Sequence, residues 1–178
     1  PFVVRTKVNG DTLWTKQYVG STMIEGTCVQ QTTDGGFIFT AGNNIGGFIQ
    51  LVKTDGNGNI IWQKSYSINT NGQGYTVRQT TDGGYIIGGV AVVSSTQNGC
   101  LIKTDVNGDT LWTKIYGGAS NYIEIHSVDQ TTDGGYVLAG FDDNNASRHI
   151  VVIKTNNIGD TLWTKKYSYA DWITTSTG

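Results

Sequence analysis

The sequence is poor in several things at once. Proline occurs once, at position 1, and cysteine twice, as Cys28 and Cys100. Two cysteines cannot build a framework of bridges. Charged side chains make up 15% of the 178 residues, against a usual share of about 25%, and the formal net charge is −2. With 11% aromatics, this is not the composition of a disordered acidic or basic chain. There is no basic block of the kind that binds nucleic acid, so no nucleic-acid partner is expected. No run approaches the ~18 apolar residues of a membrane helix, so no membrane insertion is expected either. The most apolar stretch, residues 85–93, is interrupted by Gly88 and Gly89. Glycine is abundant, with 25 residues, but has no period of three, which excludes collagen. Richness in Thr, Gly and Asn with little Ala, Leu or Glu argues for strands and tight turns rather than helices.

What is present is a repeat. Asn9-Gly10-Asp11-Thr12-Leu13-Trp14-Thr15-Lys16 returns unchanged as Asn107-Gly108-Asp109-Thr110-Leu111-Trp112-Thr113-Lys114. Looser copies run over residues 57–64 and 158–165. Trp14, Trp62, Trp112 and Trp163 follow one another at intervals of 48, 50 and 51 residues. Between them Gln-Thr-Thr-Asp-Gly-Gly recurs at residues 31–36, 79–84 and 130–135. A period of about 50 residues lies in the range of solenoids and propeller blades.

Each period reads as four short strands. In the copy at residues 74–116, strand-like runs cover 75–80, 85–90, 100–104 and 109–116. Asp82-Gly83-Gly84 and Asn107-Gly108 supply hairpin turns, because Gly, Asn and Asp tolerate the backbone angles such turns require. Along the fourth run Trp112, Lys114 and Tyr116 share one face, as period-two alternation dictates. Trp14 and Tyr18, Trp62 and Tyr66, and Trp163 and Tyr167 repeat the pattern. A Trp offers about 150–250 Å² for burial, which suits packing of one blade on the next, with the intervening Lys laying its stem over the rings. The expected fold is therefore all-β, made of β-propeller blades of four antiparallel strands. The chain is expected to be a single repeat-built unit over 1–178: a half-blade 1–20, blades 21–68, 69–118 and 119–169, and a tail 170–178 that could begin another first strand. About three and a half blades imply a partial propeller or a segment of a larger one, or a product processed from it. Closure by assembly with other chains and a small four-bladed ring are the other expectations. Trp14, Trp62, Trp112 and Trp163, with Gly10, Gly58, Gly108 and Gly159, are assigned to this structural repeat.

The run Leu101-Ile102-Lys103-Thr104-Asp105-Val106-Asn107-Gly108-Asp109-Thr110-Leu111-Trp112 resembles the blade motif of quinoprotein-like β-propellers. There a strand ends in Asp, turns through Gly and leads into a strand with a docking Trp. Together with Asp82-Gly83-Gly84-Tyr85-Ile86-Ile87-Gly88-Gly89, it looks still more like the repeats of large secreted and cell-surface proteins of bacteria and archaea. The resemblance covers nearly the whole chain and implies an extracellular or cell-surface setting. Catalytic quinoproteins hold their redox cofactor through residues outside this motif, and no adjacent cysteine pair or calcium-binding acidic set of that kind is present. The resemblance therefore implies no cofactor and no enzyme activity.

Candidate sites follow from the contrast between connections. Turns between first and second and between third and fourth strands are near-identical in every copy. The second-to-third loops (42–47, 91–99 and 141–149) and the links (19–26, 67–74 and 117–125) vary, and a binding surface need not repeat. The chemically richest loop carries Asp142, Asp143, Asn144, Asn145, Arg148 and His149, with Glu124, His126 and Tyr122 nearby on the preceding link. Of these, Asp142, Asp143, Asn144, Arg148, His149, Glu124 and Tyr122 form the candidate binding surface; a solvated loop is the plainer reading. His126 aligns with Tyr75 and Thr27 and reads as a strand residue. Tyr122 and Trp172 could stack on sugar rings or pack between blades. Asp105-Val106-Asn107-Gly108-Asp109 has the look of a calcium loop, but its copies begin with Lys7, Asp55, Asp105 and Asn156 and share only the Gly, so turn geometry explains it better than a ligand set. Gly56-Asn57-Gly58-Asn59 sits between strands and is a hairpin rather than a phosphate loop. Cys28 and Cys100 do not recur and read as small buried residues. Neither His has zinc spacing and no Gly-x-Ser-x-Gly is present, so no catalytic, cofactor-binding or metal residue is assigned.

The expected function is an extracellular binding or structural and adhesion module that meets a protein or glycan on its variable-loop face. The alternatives are part of a propeller enzyme, quinoprotein-like or glycan-cleaving, with its active site in other blades, and a structural subunit that self-associates through open blade edges.

Overall fold

The computed structural model describes residues 1–19, 25–42, 47–68, 71–118, 122–143 and 148–168. These residues are all-β. A hairpin of β1 (Phe2–Thr6) and β2 (Thr12–Gln17) comes first. Sheet I holds β3 (Glu25–Gln31), β4 (Phe37–Gly42), β5 (Phe48–Thr54) and β6 (Ile60–Ser67). Sheet II holds β7 (Gly72–Gln79), β8 (Tyr85–Val93), β9 (Thr96–Thr104) and β10 (Thr110–Tyr116). Sheet III holds β11 (Tyr122–Gln130), β12 (Tyr136–Asp143), β13 (Arg148–Thr155) and β14 (Thr161–Tyr167). Within each sheet the strands pair antiparallel in sequence order. This arrangement is consistent with propeller-like blades.

The two repeated turns are built by specific atoms. At Asp-Gly-Gly the first glycine takes a positive φ, +81° to +82° at Gly35, Gly83 and Gly134. The second has no room for a side chain: a Cβ on Gly84 would lie 2.2 Å from the Thr104 carbonyl oxygen and 2.7 Å from Lys103 Nζ. That ammonium belongs to a buried lysine. Lys103 donates to the Thr104 carbonyl (2.8 Å) and pairs with the Asp82 carboxylate (2.9 Å). Lys53 with Asp34 and Lys154 with Asp133 repeat the arrangement. A buried charge is tolerated where it is both paired and hydrogen-bonded. The Asp34 carboxyl is lowered to about 2 by its hydrogen bonds from Lys53 and Thr32. At Asp82 burial pushes the other way, but the bonds from Thr80 and Lys103 outweigh it, and the carboxyl stays below its usual range.

The second turn closes on its own Asx residue. Asp105 Oδ1 accepts from the Asn107 and Asp109 amides at 2.9 and 2.8 Å; Asp55 and Asn156 do the same in their copies. Those oxygens are occupied by the turn itself, which is a sufficient reason for acids at this position.

The sheets stack face to face in sequence order: β7 packs across β3, β4 and β5, and β11 across β7, β8 and β9. One core layer, with Ile49, Leu51, Val77, Ile87 and Ile102, lies between sheets I and II. Another, with Ile86, Leu101, Ile125, Leu138 and Ile153, lies between II and III. A smaller one, Tyr18, Phe39, Ala41 and Val52, holds the first hairpin on sheet I. Fully burying each such side chain contributes about 1.5–3 kcal/mol.

Between the last strand of one sheet and the next sheet the same joint forms three times. Trp62 meets Tyr85 edge to face at 5.8 Å and covers Gly108, whose Cβ would sit 2.9 Å from the indole. Lys64 pairs with Asp109 at 2.7 Å, and the Tyr66 hydroxyl donates to the Gly108 carbonyl at 2.7 Å. Trp112, Lys114 and Tyr116 grip Gly159 and Asp160 in the same way, with Tyr136 as the ring partner. Trp14, Lys16 and Tyr18 grip Gly58 and Asn59, with Phe37 as the partner. The indoles of these three joints thus act as inter-sheet packing, as their period suggested; the Lys64 and Lys114 heads close ion pairs and the Lys16 head donates to the Asn59 side-chain oxygen. Burial, with Asp109 and Asp160 adding, pushes the Tyr66 and Tyr116 phenols well above their usual range, so both stay donors. Trp163 is 43% exposed and lies on the open face of sheet III.

Candidate functional site

The first strand of every sheet carries a bulge. Its register shifts between Gly26 and Cys28, between Gly74 and Thr76, and between Ile125 and Ser127. Thr27, Tyr75 and His126 are therefore left without a cross-strand partner, and such a bulge re-aims the extra side chain. Two of the three meet. The Tyr75 and His126 rings stack at 4.6 Å with 3° between their planes. Phe141 abuts His126 edge-on at 5.4 Å, and the Arg148 guanidinium lies 4.2 Å over the Phe141 ring. Glu124 ties the group together. One of its oxygens lies 2.7 Å from His126 Nε2, and the other accepts from the Tyr122 hydroxyl at 2.7 Å.

Beside this cluster lies a cavity of about 230 Å³, lined by Gly47, Asn71, Gly72, Gln73, Tyr75, Val90, Val92 and Gln97. It is smaller than the ~300–1,000 Å³ of sites that engulf a drug-sized ligand. Its polar groups are amides and a phenol, all neutral. Burial first, then the charge of Glu124, pushes Tyr75 up to about 12, and burial and the Glu124 hydrogen bond do the same at Tyr122. Both phenols are therefore donors over the whole physiological range. Asn71, Gly72 and Gln73 precede the bulge on β7, while Val92 and Gln97 flank the β8–β9 turn. The cavity thus sits at the end of the sheets where the connections vary.

The structure redistributes the residues expected on one polar loop. Asp142 and Asp143 end β12, Arg148 and His149 begin β13, and they face each other in register as Asp142–His149 and Asp143–Arg148. Asp142 is fully buried and ion-paired with Lys166 of β14. Through that pair it links β12 to β14 across β13. Tyr122 and Glu124 lie within β11 rather than on a link, and both belong to the cluster with Arg148. Asn144, Asn145 and Trp172 lie outside the described residues. The expected loop 91–99 is a hairpin: β8 and β9 run almost into each other, and only Ser94 and Ser95 turn, at φ of 51° and 65°.

Tyr75, His126 and Phe141 are the members that the sequence did not single out as site residues. A signal for the bulge was present in the glycines opposite it. A Cβ on Gly89 would lie 2.0 Å from the Gln73 carbonyl oxygen, and one on Gly140 1.8 Å from that of Glu124. Cys100 is fully buried, and burial pushes its thiol up to about 12, which makes it unreactive. Cys28 is half-buried with its sulfur 3.8 Å from the Val77 carbonyl oxygen. Among the described residues no group of three or more His, Cys, Asp or Glu is placed to hold a metal. Comparison of the chain with protein-family models and with curated proteins finds no match.

Proposed function

We propose that the chain is a segment of a quinoprotein-like β-propeller, about three and a half blades long, that acts outside the cell as a binding module. The ligand meets the variable end of the sheets, at the cavity beside Tyr75. The observation that supports this reading is the Tyr75–His126 stack, held by Glu124 and Tyr122 and placed against a cavity lined by Asn71, Gln73 and Gln97. Flat rings offer a stacking surface, and amides and neutral phenols match hydroxyl groups without demanding a charge. That combination favours a neutral glycan over a charged ligand. The cavity has room for one sugar ring rather than a long chain. The buried backbone and the paired charges of the opposite end serve the repeat, and the low charge of the whole surface suits an extracellular module.

A glycan array of neutral oligosaccharides, followed by calorimetry on any hit, tests this. The expected result is binding that Tyr75→Ala or Gln97→Ala weakens by at least ~10-fold while the circular dichroism and melting of each variant stay near those of the parent. Binding that survives both substitutions, or no glycan binding beside capture of a protein partner, would overturn it.

A further inference from the structure

The joint described above has two halves. One is a plug, Trp-x-Lys-x-Tyr on a sheet's last strand. The other is a socket, the Gly-Asp or Gly-Asn turn of the following sheet. Among the described residues three pairs are occupied, and one half of each kind has no counterpart on it. The spare plug is Trp163, Lys165 and Tyr167 on β14. Trp163 is 43% and Tyr167 41% exposed, whereas Tyr66 and Tyr116 are buried in their joints. The Lys165 ammonium rests 5.8 Å over the Trp163 ring; the matching Lys64 and Lys114 reach across to an acid.

The spare socket is the turn between β1 and β2. Lys7 N donates to the Asp11 carbonyl at 2.7 Å and Gly10 N to the Lys7 carbonyl at 3.0 Å. The Asp105–Asp109 turn has the same two bonds, at 2.9 and 3.2 Å. Gly10 has φ +88°, and nothing lies within 4 Å of where its Cβ would be. At Gly58, Gly108 and Gly159 that space holds the neighbouring indole and the lysine stem. Asp11 is exposed, 4.0 Å from Lys7. Residues 8–16 are identical to residues 106–114, so the socket keeps the Gly-Asp pair of a filled one, with Lys7 in the place of Asp105.

We propose that the Trp163–Lys165–Tyr167 face docks on the Gly10–Asp11 turn of a second copy of this chain. Trp163 covers Gly10, Lys165 leaves its own indole to pair with Asp11, and the Tyr167 hydroxyl donates to the Gly10 carbonyl. The contact is head-to-tail, because plug and socket are different surfaces, so each bound copy presents a further plug and a further socket. It is weaker than the internal joints. The β1–β2 hairpin has no ring in the place of Phe37, Tyr85 and Tyr136, and Arg5 stands opposite Trp14 where Lys53, Lys103 and Lys154 stand opposite Trp62, Trp112 and Trp163. The association is therefore reversible and depends on concentration.

Sedimentation velocity on the full chain over a wide concentration range tests this, with Asp11→Lys and Lys165→Asp as variants. Both positions are on exposed faces, and circular dichroism checks that each variant folds. For the parent, the mean mass rises with concentration. Each variant alone shows at least ~10-fold weaker association. An equal mixture of the two associates and grows again, because the intact plug of one meets the intact socket of the other and the reversed plug meets the reversed socket. The double variant regains the parental behaviour. A monomer at every concentration, association that ignores both reversals, or a mixture that stays monomeric would each overturn the proposal.

Discussion

Strand β7 joins two unlike places. Just past its C-terminal end, at Asp82–Gly84, the turn is tied together by its own polar groups: Thr80 bonds Asp82 at 2.6 Å, Asp82 accepts from the Gly84 amide at 3.0 Å, and Lys103 lies beneath. Near its N-terminal end, at the Tyr75 bulge, ladder pairing is interrupted and a ring is turned outward against a cavity. Sheets I and III have the same two ends. The turn end repeats because each copy must solve one packing problem in one way. The bulge end shares only its backbone, and its side chains run Thr27, Tyr75, His126. Uniform chemistry therefore marks the part that holds the stack together, and varied chemistry on a uniform backbone marks the part free to differ.

The sharpest way to break this contrast is at the turn. Gly84→Ala sets a Cβ against the backbone oxygen of Thr104 and should cost about 3 kcal/mol, read as a lower midpoint in urea unfolding. The next largest effect compares occupied and open joints. Trp112→Ala removes a half-buried indole clasped over Gly159 and should cost about 2 kcal/mol, whereas Trp163→Ala should change stability by less than about 0.5 kcal/mol at concentrations where the chain is monomeric. A third test uses acid. The carboxyls of Asp34 and Asp82 sit below their unfolded values, so their contribution is fully present above pH ~4 and is lost as pH falls towards ~2. Urea midpoints should decline across that window, and Asp34→Asn should flatten part of the decline while lowering the plateau above it. The last test is at the bulge, where the stability effect is small. His126, 42% exposed, can become Ala with less than about 1 kcal/mol lost, while glycan binding at Tyr75 weakens.

The turn end was legible from the sequence because its demands are local. A positive φ or a missing Cβ selects glycine at one position, and a docking indole recurs at the repeat length. The strand count and the Trp–Tyr face were read from the same signals. The bulge end was harder to read, because a bulge depends on how many residues face each other across two strands; the glycines opposite it, Gly89 and Gly140, mark it in two sheets, but sheet I has Ala41 in that place. The polar residues of 141–149 looked like a loop because two acids, two asparagines, Arg148 and His149 cluster there, yet strand pairing sets Asp142 opposite His149 and in the interior, where Lys166 pairs with it. The hairpin at Ser94–Ser95 escaped for the opposite reason: two serines hold positive φ where Asn-Gly is the usual choice. The buried lysines also passed unnoticed, since a Lys in a surface-rich repeat reads as solvated until its Asp partner is located.

Those lysines have a practical consequence. Lys53, Lys103 and Lys154 lie one to a sheet, each with its ammonium closed under an Asp-Gly-Gly turn. Amine-acylating reagents should mark Lys7 or Lys165 in the native protein at once and reach the three enclosed amines only when the sheet around each opens. Peptide mapping of the acylated chain would then report, sheet by sheet, the order in which the stack comes apart.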